Sequence, residues 1–423
     1  MIRISSRIYP FRGSWNRVSF QDSAAHVCKS RVGTVKRRRT RNKEISYARM
    51  SEENPEMREM AARICRDYLH GVWKHVTAEN ITLKRISGGL SNWLYNVQLP
   101  DGTVPIRGEP RQVLLRLYGQ IHGERALEGL ITESVIFTLL SERRLGPKLH
   151  GIFPGGRIEE YIPARPLLTK ELADPILSSL IAEKMAQIHQ MQVPISKEPT
   201  WLWDTMAKWL DTATDILENI EDVDGRHLKN VNVIRAIDLD SEIKWFRSLV
   251  TRYKYPVVFC HNDMQEGNIL LRQNTRKPEL VLIDFEYCSY NYRGFDIANH
   301  FLEWQYDYTT AEYPFFHERA ASGPTKEQKL NFIRSYLRTI GKEEGPSEEE
   351  RIMMEIKIFS LASHLFWGLW SIVNAKLSEI PFGYWDYAVS RLKNFQYLKE
   401  KIAVSGSSSI DNHDVDKKIT VVD

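Results

Sequence analysis

Cysteine is scarce in this chain. Its 423 residues hold four, at Cys28, Cys65, Cys260 and Cys288. They form no C-x-x-C pair and have no histidine at zinc-ligand spacing, which excludes a disulfide scaffold and a zinc module and leaves reduced thiols as the expectation. No run approaches the roughly 18 apolar residues that span a bilayer, so no transmembrane segment is expected. No G-x-x-x-x-G-K-[ST] stretch occurs, which removes the P-loop route to phosphate binding. Internal repeats are absent too. What is present is a hydrophobic fraction of 42% and a charged fraction of 26%, the balance of a globular protein, at a length sufficient for two packed lobes.

The formal net charge of +4 conceals an uneven distribution. The first fifty residues carry 13 of the 58 lysines and arginines against only Asp22 and Glu44. The rest of the chain has seven more acids than bases. An acidic body argues against a nucleic-acid-binding domain and leans toward a small cationic substrate. The basic arm admits three readings. Arg3, Arg7, Arg12 and Arg17 with no acid resemble a mitochondrial transit peptide. Lys36-Arg37-Arg38-Arg39 fits a nuclear signal or an anionic-membrane contact. A solvated, disordered arm is the third reading, and with it the protein is expected in the cytoplasm.

Periodicity divides the remainder. Apolar residues at helical spacing predict a helix over 56–73. Strands are predicted at 81–86, 93–99, 113–118, 148–153 and 157–162, separated by turns at Gly88-Gly89, Asp101-Gly102 and Pro154-Gly155-Gly156, with one helix over 124–144. Beyond Pro163 the pattern becomes helical, near 170–191, 201–219, 238–253, 326–340, 348–376 and 384–402. Short apolar runs at 257–260, 269–271 and 280–283 interrupt it. The reading is an α+β, two-lobe protein: a disordered arm over 1–54, a small β-rich lobe over 55–162, a larger mainly helical lobe over 163–402, and a disordered tail over 403–423. A cleft is expected near Glu160–Pro163.

The chemistry concentrates at 257–286. An apolar strand delivers His261 and Asp263 to a turn, Asn268 precedes the next apolar run, and a buried strand ends at Asp284. A carboxylate at the end of a buried strand needs a partner, and two of them suggest a divalent cation site. H-x-D-x-x-x-x-N followed about twenty residues later by I-D-F parallels the catalytic loop and metal-binding acid of protein kinases. Phosphoryl transfer needs such a set: Asp263 to orient the attacking hydroxyl and take its proton, Asn268 and Asp284 to hold Mg2+ on the phosphates of ATP. His261 reads as a residue that fixes the loop. Ser87, Gly88, Gly89, Ser91 and Asn92 form a small-residue turn between strands whose N–H groups suit phosphates. Arg116 interrupts a strand of buried character and requires an anion.

His261-Asn262-Asp263 resembles the small-molecule branch of the kinase-like fold, which includes aminoglycoside phosphotransferases and choline kinases. Ile283-Asp284-Phe285-Glu286-Tyr287, Tyr290 through Asp296, Asn299-His300-Phe301 and Glu303-Trp304 closely resemble the choline/ethanolamine kinase signature, within a resemblance that spans roughly 80–400. The resemblance implies a two-lobe kinase-like fold, ATP and Mg2+, and transfer to choline or ethanolamine at the entry to phosphatidylcholine or phosphatidylethanolamine synthesis. By the same plan Arg116 pairs with Glu133 on the following helix, and Glu160 and Ile162 belong to a hinge that holds adenine. Glu303, Tyr308, Trp367, Trp370 and Tyr387 match the choline pocket, where ring faces suit a quaternary ammonium. The tryptophan pair, three residues apart on one helix face, favours choline over ethanolamine as the acceptor. A homodimer is expected by analogy. An aminoglycoside-type transferase and a non-catalytic scaffold are the weaker alternatives.

Overall fold

A computed structural model describes residues 54–86, 92–106, 108–118, 124–220, 225–342 and 345–407. The expected arm, most of the expected tail and the turn residues Ser87, Gly88, Gly89 and Ser91 lie outside them.

Helix α1 (Pro55–Tyr68) buries Met57, Ala61, Ile64 and Cys65 on one face. It ends five residues short of the expected boundary. A 3-10 turn at Gly71–His75 follows, opened by Gly71 with φ +59°, a conformation glycine adopts at no steric cost. Five antiparallel strands come next: β1 (Thr82–Ile86), β2 (Asn92–Gln98), β3 (Gln112–Tyr118), β4 (Leu149–Phe153) and β5 (Gly156–Glu160), ordered β1-β2-β3-β5-β4. Helix α2 (Glu124–Glu142) lies between β3 and β4 in sequence. In β3 the alternation is strict, with Val113, Leu115 and Leu117 buried. That period of two commits Arg116 to the opposite face. Strands β3 and β5 approach closely at Gly156, where an added Cβ would lie 2.2 Å from the Arg116 carbonyl oxygen.

The larger lobe contains α3 (Pro175–His189), α4 (Thr200–Asn219), α5 (Gly225–Arg235), α6 (Leu239–Val250), α7 (Arg293–Glu303), α8 (Lys326–Thr339), α9 (Pro346–Leu377) and α10 (Tyr384–Ser407). Helix α9 packs against α10, α7 and α4. Contrary to expectation, it is long and apolar enough to cross a membrane by length and composition, yet 89% of its apolar window is buried inside the protein. It is the lobe's core helix. Three small sheets interrupt the helices among the described residues: β7 (Val257–Cys260) pairs with β10 (Ser289–Tyr292), β8 (Ile269–Arg272) lies between β6 (Ala164–Pro166) and β9 (Leu280–Leu282), and β11 (Tyr306–Asp307) pairs with β12 (His317–Glu318).

Besides the end of α1, strands β6 and β10 were not expected, and further elements depart from the pattern reading. All eleven residues of α7 are buried, including Arg293, Asp296, Asn299, His300 and Glu303. Its sequence is amphipathic at helical period, but the polar face is turned onto the Asp263 loop and the aromatic side chains instead of water. Helix α5 buries only Val231 and Ile234, too little apolar signal to separate it from a polar loop. The expected strand 157–162 stops at Glu160. Helix α10 continues to Ser407, into the segment expected to be a tail.

Candidate active site

The turn after β7 is held by one buried carboxylate. Asp296, in the first turn of α7, accepts the backbone N–H groups of His261 and Asn262, each at 2.9 Å, and lies 3.0 Å from the Nε2 of His189. Burial works against its charge. The His189 contact and then His261, including its amide, nevertheless hold its carboxyl below the usual range. Asn262 sits at φ +68°, a left-handed conformation asparagine tolerates better than most residues. Its amide donates to the Tyr287 carbonyl and accepts from Asn291, both at 2.8 Å. His189, Cys260 and Asp296 stand close enough to ligate a metal, but His189 is also bonded to Tyr336, and the set serves as scaffold.

His261 is fully buried and functions as the loop anchor the sequence suggests. The Asp263 N–H reaches its Nδ1 at 3.3 Å, so Nε2 carries the hydrogen that goes to the Ile283 carbonyl at 3.0 Å. The Ile283 N–H in turn reaches the Asn268 carbonyl at 3.0 Å. Both polar groups of Ile283 thus tie the end of β9 to the Asp263 loop. Asp284 follows at φ +63° and is exposed, its carboxylate turned from the strand toward solvent. Asn268 donates its Nδ2 to the Asp263 carboxylate at 2.8 Å and to the Asp263 carbonyl at 3.0 Å. With the amide nitrogen committed, the Oδ1 of Asn268 is left as the acceptor end.

Acids dominate the field here. Burial, then Asp284, Glu303 and Glu286, push the Asp263 carboxyl well above its ordinary value, against the Asn268 hydrogen bond. Glu286 opens to solvent but is crowded by protein on its other sides. That desolvation, with Asp284 and Glu133, pushes it up to about 7, while Arg116 pulls the other way. Glu266 is buried and pushed up to about 8, by burial and then by Glu303. Thr169 donates to its Oε1 at 2.9 Å, and its Oε2 has no hydrogen-bond partner. Sequence reasoning named neither Glu266 nor Glu286 for the site, although both flank the motif residues.

The Arg116–Glu133 pair expected from the kinase plan is not formed. Antiparallel register sets Arg116 opposite Arg157, so two guanidinium groups share one face. Glu159, two residues along β5, accepts the Nε of both at 2.7 Å. The Nη1 of Arg157 then goes to Glu133 at 2.7 Å. Arg157 outcompetes Arg116 for Glu133 because it is nearly fully buried, at 3% exposure against 14%, and needs a second anion more. Sequence reasoning did not single out Glu159; its place two residues from Arg157, on the same face of β5, was the one signal for it. Asn92 opens β2, with its side chain outside the described residues.

At the junction of the lobes, Glu160 accepts from Arg272 of β8 at 3.0 Å and from the Lys148 N–H at 3.1 Å. Its side chain clamps the hinge. Tyr161 and Ile162 lie outside the strands, and among the described residues their backbone groups make no hydrogen bond within the chain.

The aromatic residues form one continuous wall. Trp367 is buried, and its Nε1 donates to the Asn299 Oδ1 at 2.7 Å, which fixes the ring. Trp370 meets it at 5.6 Å between ring centroids, nearly perpendicular at 76°. Tyr287 packs on Trp367 at 5.8 Å. Tyr384 and Phe382 continue the wall to Tyr308 and Tyr387, whose hydroxyls are 2.8 Å apart. Tyr308 donates to Glu303 at 2.8 Å. All five residues expected in the substrate pocket fall on this wall. Tyr287, Phe382 and Tyr384 were not anticipated, because ring contacts between distant segments leave no spacing signal.

A five-stranded lobe with one long helix, a short hinge, and a helical lobe that presents an H-x-D turn, an asparagine and a strand-end aspartate define a phosphotransferase of the kinase-like fold. The choline/ethanolamine kinase family model matches residues 83–396, and the chain belongs to that family. It is 48% identical over 352 residues to a human choline/ethanolamine kinase, covering 82% of this chain and 87% of that protein. It is 42% identical over 375 residues to choline kinase A2 of Caenorhabditis elegans, covering 82% and 86%. Among solved structures it resembles choline kinase from Cryptosporidium parvum, with a TM-score of 0.66, 27% identity, and coverage of 84% of this chain and 99% of that one. The protein is an ATP-dependent small-molecule kinase.

Proposed function

We propose that the protein transfers the γ-phosphate of ATP to the hydroxyl of choline, with ethanolamine as a second acceptor. The observation that carries this reading is the placement of Asp263, locked by Asn268, in a field of acids that includes Glu303, itself bonded to Tyr308 of the aromatic wall. A cation held against Tyr308, Trp367 and Trp370 would lie on the acid-lined side of the lobe. In that position its hydroxyl would be presented toward Asp263. Ring faces hold a quaternary ammonium without needing its hydrogen bonds, each contributing on the order of 0.5–2 kcal/mol.

Asp263 orients that hydroxyl and takes its proton as the bond to phosphorus forms. Asn268 keeps the carboxylate aimed, and the His261 ring fixes the backbone that bears it. The crowding of carboxylates, with Arg116 the cation that opposes it at Glu286, fits a divalent ion. The Asn268 Oδ1 and the Asp284 carboxylate would hold Mg2+, which supplies charge neutralisation on the nucleotide phosphates. The free backbone groups of Tyr161 and Ile162 suit adenine, and Arg116 faces the same cleft through Glu286.

The test is ATP-dependent phosphorylation of choline and ethanolamine, side by side, with magnesium and with chelator. The expected result is magnesium-dependent turnover with choline favoured. Turnover with ethanolamine favoured would keep the phosphotransfer assignment and discard the aromatic-wall argument. Absence of turnover with either would overturn the proposal.

A further inference from the structure

Arg391 of α10 is fully buried, with no accessible surface. A guanidinium carries five N–H donors, yet its Nε and Nη1 have no hydrogen-bond partner. Only Nη2 is engaged, with the Glu303 Oε1 and the Tyr387 hydroxyl. The rest of the group lies against ring faces, 4.0 Å from the Tyr306 centroid and 4.8 Å from that of Tyr387. The protein's own cation is thus held in the way a quaternary ammonium is held, by aromatic faces and one acid.

The hydrogen-bond directions around it follow from donor counting. Tyr308 gives its single proton to the Glu303 Oε2, so in the contact between the two phenols Tyr387 must be the donor. Tyr387 in turn accepts from Arg391. The chain runs from Arg391 through Tyr387 and Tyr308 to one oxygen of Glu303, while Arg391 also takes the other oxygen directly. The ring closes. Burial keeps both phenols protonated, well above their ordinary values, so none of its donors is lost near neutral pH.

We propose that Arg391 is a specificity-determining positioning residue: by closing this ring it engages both oxygens of Glu303 and supplies their counter-charge, leaves cation recognition to the ring faces, and so favours a quaternary over a primary ammonium. A primary ammonium brings three N–H donors that need acceptors, and leaving them unmet on desolvation is costly. A quaternary ammonium brings none. Arg391 also neutralises Glu303, so the substrate's charge is not needed to stabilise the free enzyme. This inference rests on the amino-alcohol reading above.

The test compares kcat/KM for choline and for ethanolamine in the wild-type protein and in Arg391→Met, Arg391→Lys and Tyr308→Phe. Arg391→Met and Tyr308→Phe each open the ring and free one Glu303 oxygen, at opposite ends of it. Each is expected to raise the ethanolamine-to-choline ratio about tenfold, the size of one hydrogen bond to an ionised group, chiefly through KM. Arg391→Lys keeps a cation on Glu303 and is expected to leave the ratio near the wild-type value. If Arg391→Met gives no cooperative melting transition, Tyr308→Phe decides the question alone. An active wild-type protein whose ratio stays within about twofold when the ring is opened overturns the inference. A wild-type protein inactive on both substrates overturns the underlying reading instead.

Discussion

Single residues carry the chemistry here through the company they keep. Asp263 must be ionised to accept a proton, yet burial and three neighbouring carboxylates raise its carboxyl well above the ordinary range. A base of raised pKa is protonated and idle at low pH and becomes active as pH rises through that value. The kcat/KM profile should therefore show an acid limb above the usual carboxylate range. Glu286→Gln removes one of the repelling charges and should move the limb to lower pH, by about half a unit at this degree of solvent access. A limb near pH 4, or one that Glu286→Gln leaves in place, would contradict this account of the field. At this scale the sequence was informative where motif and chemistry coincide, as at His261, Asp263, Asn268 and Asp284. It was silent on Glu159 as the shared anion of Arg116 and Arg157, since a register is needed to see two arginines face each other.

Helix α7 does the most at the level of elements. Its first turn supplies Asp296 to the Asp263 loop and its last residue supplies Glu303 to the aromatic wall. Its N-terminus is pressed onto α9, where Arg293 and Glu355 form a buried two-bond pair at 2.9 and 2.6 Å. Gly294 permits this contact: an added Cβ would lie 2.5 Å from a Phe359 ring carbon and 2.9 Å from the Glu355 Cβ. Gly294→Ala should lower stability by about 1–3 kcal/mol in urea titration and lower kcat more than the affinity for ATP, because both ends of α7 shift together. An alanine variant of wild-type stability and turnover would show that the two helices part without cost. Strands such as β3 and the amphipathic helices were legible because one face of each meets water, and β9, buried throughout, as a short continuous apolar run. Helices α7 and α5 were not, the first because its polar face is buried and the second because it buries only Val231 and Ile234. Ends fared worse than existence: the hinge begins at Tyr161 because Glu160 turns to Arg272, a contact over a hundred residues away in sequence.

Across the whole molecule, the small sheet lobe and the larger helical lobe read from the change in periodicity near Pro163 are both present. Glu160 and Arg272 tie the last strand of the first sheet to β8, the strand that directly follows Asn268. The five-stranded sheet and the strand after the Asp263 loop are thereby held in one frame. The central claim is that this frame performs phosphoryl transfer with Asp263 as the proton acceptor. Its most direct measurement is turnover and ATP binding of the full chain carrying Asp263→Ala, with choline and magnesium present. The account predicts that kcat falls by about 10²–10⁴-fold while ATP affinity stays within about threefold, since the proposed role sets Asp263 at the acceptor and not at the nucleotide. Turnover within about tenfold of wild type would remove Asp263 from that role.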